Sequence, residues 1–366
     1  MATLRLWELV TVRILLSPLG SPGFAFPAIA ITRELRRRGH NVCFWSSSWL
    51  GSFVDSQASG IPTRASGAND PFQTSTWHQP AAVEQQVRDL EVVVQQFKPD
   101  VLVTSALALG PLIVGERAQI PVVVIGLLTG LLPEVGPRRG EFQRALDECR
   151  ARVGHSPVSV DRMLGDLYLT RGVPELVDGP NPIGACSWEP AAPRAVVDWL
   201  RTADQAGKRV VYVQQARSFG APGFWPLLAS ALPPDVVIAA STGRQDQPVL
   251  DVRPGALLGA VLPHATILER AVAVICSGTT SVVVDALALG VPIVAVPGGG
   301  EQLEVAALVE LAGLGVALPA RSADAGSLAE ALARALALDP GPRDRMRRAF
   351  AEMDGSTRAA AWIEAL

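Results

Sequence analysis

The sequence is poor in the residues on which metal, nucleic-acid and disulfide chemistry depend. Four of its 366 residues are cysteines, at 43, 149, 186 and 276, and no two form a Cys-x-x-Cys pair. Zinc-site spacing is therefore missing, and a chain this long has no need of a disulfide framework. The thiols sit among apolar neighbours and read as ordinary core residues. Lysine occurs twice, at Lys98 and Lys208, against 30 arginines. With the abundant Ala, Gly and Pro this reflects GC-rich coding and says nothing about fold. A net charge of −3 leaves no basic excess of the kind that attracts nucleic acid or an acidic membrane. The longest apolar stretch, 120–133, is 14 residues, broken by Gly and Pro and too short to cross a bilayer. Glu8 and Arg13 spoil the N-terminal segment as a signal peptide, so the expected location is the cytoplasm. A Walker loop, a Gly-x-Gly-x-x-Gly after a strand, a Gly-x-Ser-x-Gly elbow, a His-Glu-x-x-His helix and an Asp-x-Asp metal motif are all absent.

What is present is a core. Hydrophobic residues make up 49% and charged residues 18%, which excludes intrinsic disorder. Short β-branched runs alternate with longer amphipathic stretches. Residues 13–17 read as a strand buried on both faces, 27–39 as a helix closed by Arg36–Arg38 and Gly39, and 41–45 as a second strand. A helix over 83–97 and strands at 101–104 and 122–126 follow, then a surface helix over 138–153. Five prolines between 172 and 193 mark a linker. Beyond it the alternation resumes, with strands at 209–213, 236–240, 257–261, 272–276, 293–296 and 315–318 and helix patterns between them. Alternation of this kind implies right-handed crossovers and parallel sheets.

The most informative window runs from Leu262 to Gln302. A segment Leu262-Pro263-His264 precedes a buried strand ending at Ile275. Then come Cys276-Ser277-Gly278-Thr279-Thr280-Ser281, a helix carrying Asp285, Gly290-Val291-Pro292 and the pair Glu301-Gln302. A strand running through Ser277-Gly278 into a helix start gathers backbone N–H groups at one place, and the helix dipole favours an anion there. Thr279, Thr280 and Ser281 add hydroxyls, and Asp285 is placed to accept from a ribose diol. The same residues serve equally as a simple capped turn.

The order and spacing of this window resemble the donor half of the GT-B nucleotide-sugar glycosyltransferases that decorate natural products, including antibiotics. The likeness extends to Arg33–His40, Pro99-Asp100, Pro182-Ile183-Gly184 and Val211–Ser218. It implies an α/β architecture of two Rossmann-like parallel-sheet domains facing a cleft: an acceptor domain over 1–180, a linker over 181–193, a nucleotide-sugar domain over 194–350, and a C-terminal helix over 351–366 packing back on the first domain. By the same resemblance Leu262 and His264 lie against the nucleobase. Ser277, Gly278, Thr279, Thr280 and Ser281 hold the diphosphate, Asp285 the ribose, and Glu301 and Gln302 the donor sugar. Arg217 and Ser218 sit near the phosphates. The donor is UDP- or dTDP-linked, and no essential metal is expected.

Two departures stand out. The family's His-Gly-Gly loop is replaced, with Ser277 in the histidine place, a form closer to the lipid-linked GlcNAc transferases of cell-wall synthesis. In the loop after the first strand the family has Gly-His-x-x-Pro, whose His deprotonates the acceptor; here Gly23-Phe24-Ala25-Phe26-Pro27 puts Phe24 in that place. The Asp that would orient the base falls near Thr104 or Ser105. An ionised phosphate or carboxylate acceptor, or an amine, needs no base. Among the four histidines His78, in a polar loop, is the remaining candidate for one, although an idle loop histidine fits as well. The expected function is an inverting hexosyl transfer to a secondary-metabolite acceptor. The alternatives are a non-catalytic partner of such an enzyme, or a sugar-nucleotide epimerase or hydrolase on the same fold. A homodimer is left open; a nucleic-acid partner is not expected.

Overall fold

β1 (Arg13–Ser17) carries Ile14, Leu15 and Leu16 in succession, and none of the three retains any exposure, as a strand covered on both faces requires. In a computed structural model of the chain, residues 11–47, 50, 70–133, 137–215, 224–242 and 254–366 are described. They divide into two units. The first holds the residues up to Gly126, Gly130–Leu169 and Gly355–Leu366; the second holds Leu127–Thr129 and Thr170–Asp354.

In the first unit β1 lies between β2 (Asn41–Phe44) and β3 (Val101–Ser105), followed outward by β4 (Val122–Ile125) and β5 (Leu167–Leu169), all pairings parallel. The order 2-1-3-4-5 reverses direction between β1 and β3, the kind of switch point beside which open α/β sheets bind ligands. α1 (Pro22–Arg37) starts five residues earlier than the sequence pattern suggests and runs through Pro27. Phe24 therefore sits in the first turn of a helix and not in a loop. α2 (Pro80–Phe97), α3 (Leu109–Ala118) and α4 (Pro137–Arg152) complete the layer connections, and α12 (Gly355–Glu364) packs on α1. That last contact has a polar clasp: Glu364 accepts from Arg38 at 2.6 Å and lies 2.7 Å from His40 Nε2, while His40 Nδ1 accepts from the Val12 amide at 3.3 Å. His40 thus joins α1's exit to the chain's last helix.

In the second unit the six strands are β6 (Arg209–Gln214), β7 (Val236–Ser241), β8 (Leu257–Gly259), β9 (Ala271–Cys276), β10 (Ile293–Ala295) and β11 (Gly315–Ala317). Their order is β11-β10-β9-β6-β7-β8, all parallel. Renumbered within the sheet, this is 3-2-1-4-5-6, the doubly wound arrangement of dinucleotide-binding proteins, with its switch point between β6 and β9. Strand alternation feeds two cores. Val210, Tyr212, Val274, Cys276 and Ile293 pack with α5 (Arg194–Gln205), α7 (His264–Leu268), α8 (Thr280–Leu289), α9 (Glu301–Leu311) and α11 (Pro340–Ala351). Val211, Val213, Ile238, Ile275 and Val294 pack with α6 (Phe224–Ala231) and α10 (Ala325–Ala337). Asp324 and Ser327 close the start of α10 as a reciprocal capping box. Among the described residues, no helix is long and apolar enough to cross a membrane.

Because Ile363 on α12 is fully buried, Ile363→Ala is expected to destabilise the first unit by about 2–4 kcal/mol. A urea titration followed by circular dichroism checks this; an unchanged midpoint would show that α12 adds nothing to that core.

Candidate functional site

The switch point of the second sheet is built from β6 and β9, whose carboxyl ends meet at the Gln214–Cys276 pair. Immediately past it the Ser277 amide donates to Gln214 O at 3.1 Å, and Thr279 Oγ1 donates to Gln214 Oε1 at 3.4 Å. Gly278 then turns the chain with φ +80°, and a Cβ there would come within 3.0 Å of the Gln302 carbonyl. Glycine is needed on both counts, left-handed backbone and close approach. The turn delivers Thr280 to the start of α8, where Thr279 offers no side-chain cap.

The first amide of α8, that of Thr280, is met from α9. Glu301 accepts from the Thr280 hydroxyl at 3.2 Å and from the Thr280 amide, while the same hydroxyl accepts from the Leu128 amide at 3.1 Å. An anion of the chain's own thus rests on this helix terminus. Burial pushes the Glu301 carboxyl up, against the hydrogen bonds from Thr280 and the charge of Arg171. Gln302, 3% exposed, turns back to accept from the Gly298 amide at 2.9 Å. Arg171, almost fully buried, lies behind the first turn of α8 and donates to Ser281 Oγ at 3.0 Å.

A second cluster lies one turn further along α8. Asp285 Oδ2 is 2.5 Å from His264 Nε2, and Asp285 Oδ1 accepts from Ser187. His264 Nδ1 is 2.8 Å from Glu189 Oε1, and Glu189 also accepts the amides of His264 and Ala265, each at 2.9 Å. Burial opposes a charge on His264, but the hydrogen bonds and charges of Asp285 and Glu189 prevail and raise it to about 10. Burial likewise works against ionised Asp285, and His264, Ser187 and Arg171 together hold it below the usual carboxylate range. Leu262 is buried beside them, its amide donating to Ser241 Oγ at 3.0 Å.

The structure therefore gathers Leu262 and His264 at the entry to α7, Ser277, Gly278, Thr279, Thr280 and Ser281 at the β9–α8 turn, Asp285 within α8, and Glu301 and Gln302 at the start of α9. Arg217 and Ser218 lie outside the described residues. His78 belongs to the other unit. It is exposed, stacked edge-on against Trp77 at 5.4 Å, and among the described residues no carboxylate is hydrogen-bonded to its ring. At the first unit's switch point Thr104 Oγ1 donates to Ser17 O at 2.7 Å and Ser105 Oγ accepts the Leu19 amide at 3.0 Å, so both tie β3 to β1. Sequence reasoning missed Glu189, Ser187 and Arg171. The first two are hidden in a proline-rich stretch, and Arg171 lies two residues past a strand of three. Among the described residues no group of three or more His, Cys, Asp or Glu is arranged to hold a metal ion.

Two parallel sheets of this order, with this loop at the switch point of the second, define a GT-B protein, and comparison with known proteins agrees. No family model matches the chain. The 4'-demethylrebeccamycin synthase of Lentzea aerocolonigenes is 26% identical over 97% of this chain and 99% of its own length. A solved glycosyltransferase of kitacinnamycin covers 97% of this chain and 99% of its own at 20% identity, with a TM-score of 0.74. The spinosyn rhamnosyltransferase SpnG complexed with thymidine diphosphate covers 96% of this chain and 100% of its own at 22% identity, with a TM-score of 0.71. The chain shares the fold of these solved structures and is similar, over nearly its whole length, to glycosyltransferases of natural-product biosynthesis.

A histidine raised from 6.5 to about 10 stabilises the fold fully below pH 6.5, and that contribution is lost as pH rises towards 10. His264→Gln should therefore lower Tm at pH 6 and flatten its decline between pH 7 and 10; parallel slopes in the two proteins would contradict the charged state assigned to His264.

Proposed function

We propose that this chain moves a sugar, with inversion at the anomeric carbon, from a UDP- or dTDP-linked donor to a small secondary-metabolite acceptor in the cytoplasm. The observation that carries this is the convergence of Gly278, Thr279 and the α8 terminus at the switch point between β6 and β9, with Asp285 one turn away. The thymidine diphosphate held by a structural neighbour of the same extent supports a nucleoside diphosphate as the ligand.

In this reading the diphosphate meets the amides and hydroxyls of Ser277–Ser281, Asp285 faces the ribose, and His264 lies by the base, largely through its backbone. Leu262 lines the base, and Glu301 and Gln302 reach the sugar. Glu301 now occupies the helix terminus, and its raised pKa makes it the group that gives way when a stronger anion arrives. As the bond to the anomeric carbon breaks, negative charge builds on the departing diphosphate. Fixed dipoles and the buried Arg171 oppose that charge without reorganising, a role a divalent ion fills elsewhere. No metal is required.

On the acceptor side Phe24 stands in the place of a base, and Thr104 and Ser105 are engaged in holding strands together. The nucleophile is therefore one that arrives ready: a phosphate or carboxylate oxygen already ionised, or an amine. The same replacement favours a second reading, in which the chain binds donor but serves as a non-catalytic partner of an active transferase.

Titration calorimetry with UDP, dTDP and GDP in EDTA tests the donor claim. Micromolar binding of UDP or dTDP is expected, and loss of that binding in Gly278→Ala. No binding of any of the three would overturn the reading. Product analysis then separates its two forms: an α-linked donor should yield a β-linked product with carboxylate, phosphate or amine acceptors, whereas binding without turnover over that panel identifies the partner protein.

A further inference from the structure

The stretch 181–193 has the composition of a linker, yet two of its side chains close a ring with residues of the nucleoside end of the site. Ser187 donates to one oxygen of Asp285, and the other oxygen faces His264 Nε2 at 2.5 Å. The far side of the imidazole meets Glu189 Oε1 at 2.8 Å. Both oxygens of Glu189 also take backbone amides, those of His264 and Ala265. Four side chains from three separate segments are thus joined in series.

A linker contact has no need of such a carboxylate. The Glu189 side chain keeps 9% of its exposure, and withdrawing a charge that far from water is costly unless several donors meet it. Three do. Their common target is the first turn of α7, so Glu189 fixes both the backbone at His264 and the direction of its ring. The groups facing that ring are Glu189 and Asp285 on its nitrogens and the Tyr212 ring at 6.2 Å, with Arg171 acting on Asp285 from behind α8. Burial pushes the Tyr212 hydroxyl and the nearby Cys276 thiol up and keeps both protonated, so the charged groups on the His264 nitrogens are the two carboxylates. With acceptors on both nitrogens the ring carries both of its protons and cannot turn. Asp285 is in turn held from two sides, its free lone pairs aimed in one fixed direction.

We infer that Glu189 is a positioning residue of the donor site: through His264 it sets Asp285 to receive the ribose hydroxyls of a nucleoside diphosphate, and through its amide contacts it sets the 262–265 backbone beside the base. This rests on the donor reading above and extends the site into the stretch that joins β5 to α5.

The test uses the full chain as wild type, Glu189→Gln and Glu189→Ala, titrated with UDP and dTDP at several pH values. NMR of carbon-13-labelled histidine follows His264 in each. Wild type should bind. Glu189→Ala should raise Kd about tenfold or more, the loss typical of a charge-assisted hydrogen bond. Glu189→Gln keeps one oxygen to accept an amide and should rescue part of the affinity, while moving the His264 titration to lower pH and pulling the alkaline fall of binding down with it. A merely structural contact would lower Tm and shift the His264 titration yet leave Kd and its pH dependence where they are. Should Glu189→Ala fail to fold, the glutamine variant carries the test alone. Wild-type binding that is matched in affinity and pH profile by Glu189→Gln overturns this inference only. No binding by wild type overturns the donor reading, and the ligand assigned here with it.

Discussion

Gly278 and Gln302 approach each other so closely that a Cβ on Gly278 would lie 3.0 Å from the Gln302 carbonyl, and the backbone at Gly278 is left-handed. Much of the second unit depends on that contact. It pins the β9–α8 turn to the start of α9, which lets Glu301 reach Thr280 and lets Gln302 fold back on Gly298. Two strand exits that the sheet alone would leave independent become one surface. The amides of α8 then point at that surface instead of into a capped turn, and Arg171 lies fixed behind them. An anion is the ligand such a place suits best.

The division of labour along α8 follows from its pitch. Thr280 and Ser281 open the helix where the proposed diphosphate would rest, and Asp285 lies a little more than one turn on, at the place proposed for the ribose. A buried acid there needs support, and it receives it from His264, Ser187 and Arg171. The result is a site with charge at both ends, held by side chains that are themselves held. Pre-organisation of this kind is what the proposed transfer calls for, because a leaving diphosphate gains most from counter-dipoles already in place.

Much of this could be read from the residues. β1, β6 and β9 are apolar on both faces and announced themselves as central strands of parallel sheets. Leu262 to Gln302 carried its spacing on its surface. Strand order did not, because 2-1-3-4-5 and 3-2-1-4-5-6 are set by pairings between distant segments. Phe24 looked like a loop residue because Pro27 looked like a helix start; the structure continues α1 back to Pro22, where Ser21 and a proline open the helix. Glu189 was invisible for another reason. Its meaning lies in three donors from a segment some 75 positions away, and a proline-rich neighbourhood offers no periodicity to betray it.

The central claim is a place: a nucleoside diphosphate lies at the carboxyl ends of β6 and β9. Hydrogen–deuterium exchange measured by mass spectrometry, with and without saturating UDP or dTDP, tests it directly. Slowed exchange confined to peptides covering 262–268, 277–285 and 298–302 is the predicted outcome. Saturating binding that protects a different part of the chain, with those three peptides unchanged, would contradict it.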